Sequence, residues 1–120
     1  MAKFTAIAAV LLLALTLPVS LFGQAIATTT VSGEVRDSTG SVVPGAEVSV
    51  TDPTTGKAYN TVSNENGLWV VSAVPSGTYT ITVSAPGFKK AVYEDVKVNV
   101  GVPAVVNAVL EVGQLTEQVV

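Results

Sequence analysis

From Gly33 to Phe88 the chain alternates turn signals with short stretches in which every second residue is apolar. The turns are Asp37-Ser38-Thr39-Gly40, Asp52-Pro53-Thr54-Thr55-Gly56, Asn66-Gly67, Pro75-Ser76-Gly77 and Pro86-Gly87. Asp first and Gly last suits a type I turn, and Asn-Gly favours positive φ at both central positions of a hairpin. Between them Val31, Gly33 and Val35 alternate with Ser32, Glu34 and Arg36. Val48 and Val50, then Tyr79, Ile81 and Val83, then Val96 and Val98 repeat the pattern. A period of two gives each stretch one buried and one wet face, and Val and Thr suit a pleated surface. No stretch here carries a helical stripe. The spacing predicts an all-β sandwich with strands at 29–37, 44–51, 57–63, 67–73, 77–85, 91–100 and 104–112. Its core is expected to hold Val31, Val35, Val48, Val50, Trp69, Val71, Val74, Tyr79, Ile81, Val83, Val98, Val100 and Leu110.

The first 27 residues read differently. Lys3 supplies a positive start, Ala6 to Leu17 is apolar apart from Thr, and Pro18 ends the run. Ala25-Ile26-Ala27 fits the small-x-small pattern of signal peptidase, which places cleavage after Ala27; cleavage after Ala25 is the alternative. A membrane anchor is the competing reading. The run to Phe22 is at the short limit for a span of about 17 residues and Pro18 interrupts it, so export with cleavage is preferred. No stable membrane span is expected after cleavage. The chain then divides into a signal peptide at 1–27, a sandwich at 28–112 and a tail at 113–120.

Composition removes several kinds of chemistry. The 120 residues hold no Cys and no His, so thiolates, disulfides and imidazole bases are absent. Six basic residues and a net charge of −3 argue against a nucleic-acid partner. Among the nine acids, Asp37 and Asp52 sit in turns, where carboxylates bond backbone amides. Glu94 and Asp95 are adjacent and, on a regular strand, face opposite ways. Asn64, Glu65 and Asn66 lack the Asp-x-Asp-x-Asp spacing of a calcium loop. No catalytic residue, cofactor or metal site is expected. Trp69 is in phase with Val71 and reads first as core, with a ligand platform as the alternative. Tyr59, Phe88 and Tyr93 are the other aromatic candidates for ligand or partner contact.

With these residues set out, the segment from about 30 to 90 resembles a carboxypeptidase regulatory-like domain. The resemblance rests on Gly33, Val35, Asp37 and Gly40, then Pro44-Gly45-Ala46 with Val48 and Val50. Ser63-Asn64 and Gly67 with Trp69 follow, then Pro75, Gly77, Tyr79, Ile81 and Gly87-Phe88. Ser63, Asn64 and Trp69 stand where the family has Thr, Asp and Phe or Tyr, changes that keep turn and core chemistry. The resemblance implies a seven-stranded Greek-key sandwich of transthyretin-like or carbohydrate-binding-like type, without catalysis.

The stretch from Val96 to Val120 is similar to the end of this module in TonB-dependent outer-membrane receptors, where a plug and barrel follow. Thr116-Glu117-Gln118-Val119-Val120 resembles the lead into the plug and its energy-coupling box. That implies a periplasmic or outer-membrane-associated interaction module, the N-terminal extension of such a receptor or a fragment of one. Its partner would be a plug, a barrel or the energy-coupling machinery, with Val119 and Val120 as contacts and the tail from Val112 as a strand to donate. The alternatives are a carbohydrate-binding module, for which a glycan must quench or shift Trp69 fluorescence, and a structural spacer.

Overall fold

The computed structural model describes residues 27–114 and 117–120. The expected signal peptide, except for Ala27, lies outside the described residues, as do Leu115 and Thr116. Two sheets face one another. The first holds β1 (Thr28–Asp37), β4 (Leu68–Pro75), β7 (Ala104–Val105) and β8 (Ala108–Leu110). The second holds β2 (Glu47–Thr51), β3 (Ala58–Val62), β5 (Gly77–Ser84), β6 (Lys90–Val98) and β9 (Glu117–Val119). In the first sheet β1 is central, antiparallel to β4 on one side and parallel to β7 and β8 on the other. The second runs β3-β2-β5-β6-β9. The chain passes between sheets after β1, β3, β4, β6 and β8, so local hairpins alone do not build this fold.

Period-two alternation puts Val31, Val35, Trp69, Val71, Val74 and Leu110 of one sheet against Val48, Val50, Tyr79, Ile81, Val83 and Val98 of the other, all buried. Each fully buried aliphatic side chain contributes about 1.5–3 kcal/mol before chain entropy is counted. Val100 is the exception to the expected core. The sixth strand stops at Val98, a turn bonds Val102 N–H to Asn99 C=O, and Val100 is left 47% exposed. Val43, Ala46, Ala85, Ala91 and Ala108 enter the core instead, because small residues fill the sandwich where strands end.

Among the described residues nine strands stand where seven were expected. The stretch expected as one strand at 104–112 breaks in two opposite Gly33 and Glu34. There Val106 N–H bonds Ser32 C=O at 2.8 Å, and Asn107 Oδ1 accepts the Glu34 N–H at 3.1 Å. A side-chain amide replaces one rung of the ladder. The other addition is β9, in a tail expected to lie beyond the sandwich. It pairs parallel with the start of β6, Lys90 opposite Glu117 and Val92 opposite Val119.

Gly33 marks the tightest approach among the described glycines. A Cβ there would lie 1.7 Å from the Val106 carbonyl oxygen and 2.9 Å from Trp69 Nε1. Only hydrogen fits between the central strand, the β7–β8 connection and the indole. Gly67, at φ 75°, turns the chain into β4 while its N–H bonds Asn64 C=O.

Candidate functional site

The polar side chains that carry chemistry elsewhere are occupied here by structure. Asp37 Oδ1 accepts the Thr39 hydroxyl at 2.5 Å and the Thr39 and Ser41 amides at 2.9 and 3.1 Å. The Thr39 hydroxyl, assisted by these backbone N–H groups and opposed by partial desolvation, holds its carboxyl below the usual 3.8. Asp52 Oδ1 accepts the Thr54 N–H at 2.9 Å. Asn64 Oδ1 accepts the amides of Asn66 and Leu68, closing the turn that a calcium loop would need open. Among the described residues Ser63 is the buried aliphatic hydroxyl. It donates to Val43 C=O at 2.7 Å and accepts the Ala46 N–H at 2.8 Å, tying the Pro44-Gly45 corner to the end of β3. Among the described residues no three acidic side chains converge as a metal site would require.

Glu94 and Asp95 depart from the expected alternation. Asp95 takes φ 56° at a bulge, where the β5–β6 register shifts between Tyr79 and Ile81, and both acids end up exposed. They are neighbours on an open stretch of β6.

The aromatic candidates are dispersed. Trp69 is 2% exposed, with its ring in the core, so it offers no stacking face to a ligand. Its Nε1 has no hydrogen-bond partner among the described residues and sits against the Gly33 backbone. Tyr59 is half-buried on β3, edge-on to Tyr79 at 6.5 Å, with Lys57 Nζ 5.2 Å from its ring centre. Phe88 packs against the core and bridges to Val112. Tyr93 is half-buried, and its hydroxyl accepts the Val109 N–H at 3.3 Å. Tyr79 donates to Pro75 C=O at 2.7 Å. Burial, then the neighbouring Tyr59 and Asp52, pushes its phenol above 10.0. Val119 and Val120 are 61% and 54% exposed, held to β6 by backbone pairing that ends with Val120 N–H on Val92 C=O at 3.0 Å.

What remains open is surface rather than pocket. A shallow cavity of about 460 Å³ lies on the outer face of the second sheet, lined by Glu47, Ser49, Asn60, Val62, Thr82 and Lys90 among others, with no aromatic ring. On the first sheet Leu68, Val70, Val105 and Val109 are 44–64% exposed. Sequence reasoning missed the pairing of the tail and the edge character of β3. Hydrophobic period alone carries no signal for either, because both depend on which strand lies beside which.

The fold defines a two-sheet β-sandwich whose turn Asp, Asn and Ser side chains close corners. The family model for the carboxypeptidase regulatory-like domain matches residues 30–111, and the chain belongs to that family. A comparison with curated proteins gave no match. Solved structures share the fold. A putative carbohydrate-binding protein from Bacteroides uniformis aligns with TM-score 0.58 at 19% identity, over 70% of this chain and 41% of that one. A type II cohesin–X-dockerin complex from Acetivibrio cellulolyticus aligns with TM-score 0.56 at 22% identity, over 72% and 60%. Hydroxyquinol 1,2-dioxygenase from Pseudomonas putida aligns with TM-score 0.58 at 14% identity, over 75% and 58%. The alignments span less than two thirds of each of these chains. At such identities the likeness is one of fold.

Proposed function

We propose that the chain is a non-catalytic interaction module of the cell envelope, the N-terminal extension of a TonB-dependent receptor or a fragment of one. The observation that carries this reading is the occupation of its polar side chains. Asp37, Asp52, Ser63 and Asn64 are bound to backbone groups of their own corners. Backbone edges and exposed valines are left to make contacts, and sheet edges recruit partners by adding a strand. The tail supports the receptor context through its resemblance to the lead into a plug. It lies along β6 with Val119 and Val120 exposed, a position from which it can meet a neighbouring domain.

The partner on this reading is a plug, a barrel or the energy-coupling machinery. Carbohydrate recognition is the weaker reading, because Trp69 is buried and the open cavity on the second sheet holds no aromatic ring. The test is site-specific photocrosslinking in living cells from Asn60, Val70 and Val119, with mass spectrometry of the products. Crosslinks to an outer-membrane receptor or an energy-coupling protein support the reading. A chain found only in the cytoplasm, or crosslinked only to cytoplasmic proteins, overturns it.

A further inference from the structure

A sandwich must manage the unpaired N–H and C=O groups along its sheet edges, and exposed edges are normally blunted by charge, bulges, proline or short length. Three of the four sheet sides described here carry such a device. The β4 edge is bulged, with Ala73 at φ 59°, and ends at Pro75. The opposite side of that sheet is made of β7 and β8, two and three residues long. In the second sheet β9 is three residues long, and the stretch of β6 beyond it carries Glu94, Asp95, Lys97 and the Asp95 bulge.

The β3 edge has none of these. Ala58-Tyr59-Asn60-Thr61-Val62 contains no charge, no Pro and no Gly. It keeps unbroken register with β2 over all five residues, and among the described residues no strand pairs with its other side. Ala58, Asn60 and Val62 are exposed, Val62 at 57%.

We infer that β3 is an interaction edge and that its partner is β3 of a second copy of this chain, paired antiparallel about a two-fold axis at Asn60. The strand is self-complementary in that register. Ala58 lies opposite Val62 of the second copy, Tyr59 opposite Thr61, and Asn60 opposite its own equivalent. Aromatic meets β-branched, a favourable cross-strand pair, while small meets branched and amide meets amide with no like charges opposed. The ends match in charge. Antiparallel pairing brings Lys57, just before the strand, to the end where the turn of the second copy carries Glu65, and the two-fold axis repeats that approach. Both residues are exposed. A five-residue edge lies at the small end of specific interfaces, so the dimer is weak in dilute solution and favoured by high local concentration. The inference stands apart from the receptor reading, since loss of the receptor context leaves it intact.

The chain has no cysteine, so one introduced thiol reports unambiguously. Directly opposed residues have Cβ atoms about 4.5–5.5 Å apart, close enough for a disulfide after small adjustment. Mild oxidation of purified Asn60→Cys should give a covalent dimer, whereas Thr82→Cys, on the same face two strands inward, should stay monomeric. Sedimentation from micromolar to millimolar concentration should show reversible dimerisation. Asn60→Lys should weaken it about tenfold or more by setting like charges face to face, with an unchanged thermal unfolding curve. A concentration-independent monomer, equal cross-linking of the two cysteine variants, or a dimer unaffected by Asn60→Lys overturns the inference.

Discussion

Replacing Gly33 by Ala adds one methyl group to the middle of the central strand, and the structure gives it no room. Its φ does not lie in the left-handed region, so the backbone itself admits Ala and the effect isolates sterics. The new Cβ would meet the Val106 carbonyl oxygen at 1.7 Å and its carbon at 2.6 Å. These are backbone atoms, which no rotamer change moves. The β7–β8 connection must therefore retreat from β1. That retreat breaks or lengthens the Val106 N–H bond to Ser32 and the Glu34 N–H bond to Asn107, each worth about 1 kcal/mol net. Overpacking strain adds about 1–3 kcal/mol. The total is about 3–5 kcal/mol, against about 5–13 kcal/mol for a domain of roughly 90 residues. With a urea m-value of about 1–1.5 kcal/mol per M, the midpoint should fall by about 2–5 M or the protein should fail to fold. Gly77→Ala is the control. Its Cβ would meet only the Tyr79 ring, at 3.4 Å, and it should change stability by less than about 1 kcal/mol. A Gly33→Ala loss below about 1 kcal/mol, or equal losses for the two variants, would refute the steric argument.

Ser63→Ala strands the Val43 carbonyl and the Ala46 amide in the interior and should cost about 2 kcal/mol in urea unfolding. Tyr79→Phe removes the bond to Pro75 and should cost about 1 kcal/mol at neutral pH. The folded phenol titrates above 10.0, so the wild type loses stability as pH rises from 10.0 through the raised value, and the variant should lack that loss. Asp37 titrates below 3.8 when folded, so its contribution is complete above 3.8 and disappears as pH falls through the lowered value. The stability gap between wild type and Asp37→Asn should therefore close in acid, as read by unfolding at successive pH values. Ala73→Gly relieves a left-handed Ala at the β4 bulge and should stabilise by about 0.5–1 kcal/mol, visible as a raised Tm.

The parts of the fold set by local chemistry were legible in the sequence. Alternation placed Val48, Val50, Ile81 and Val83 in the core, and turn residues located the corners at Gly40, Gly56, Gly67 and Gly87. What was not legible depends on contacts distant in sequence. Nothing near Asn107 announces that its amide will replace a rung beside Glu34, so one expected strand became two. Nothing in Glu117-Gln118-Val119 says that it will lie parallel to Lys90–Val92, because a period of two names a face and not a neighbour. Val100 continued the apolar period of β6 but fell beyond the strand end, where the Asn99–Val102 turn carries it outward. The candidate site divides along the same line. Phase with Val71 placed Trp69 in the core, whereas the open character of β3 emerged only once every other edge had its partner or its protection.

The reading of this chain as the head of a TonB-dependent receptor is tested most directly by sequencing the transcript that carries it beyond the codon for Val120. The account predicts an in-frame plug domain followed by amphipathic barrel strands. A stop codon followed by unrelated sequence would contradict it.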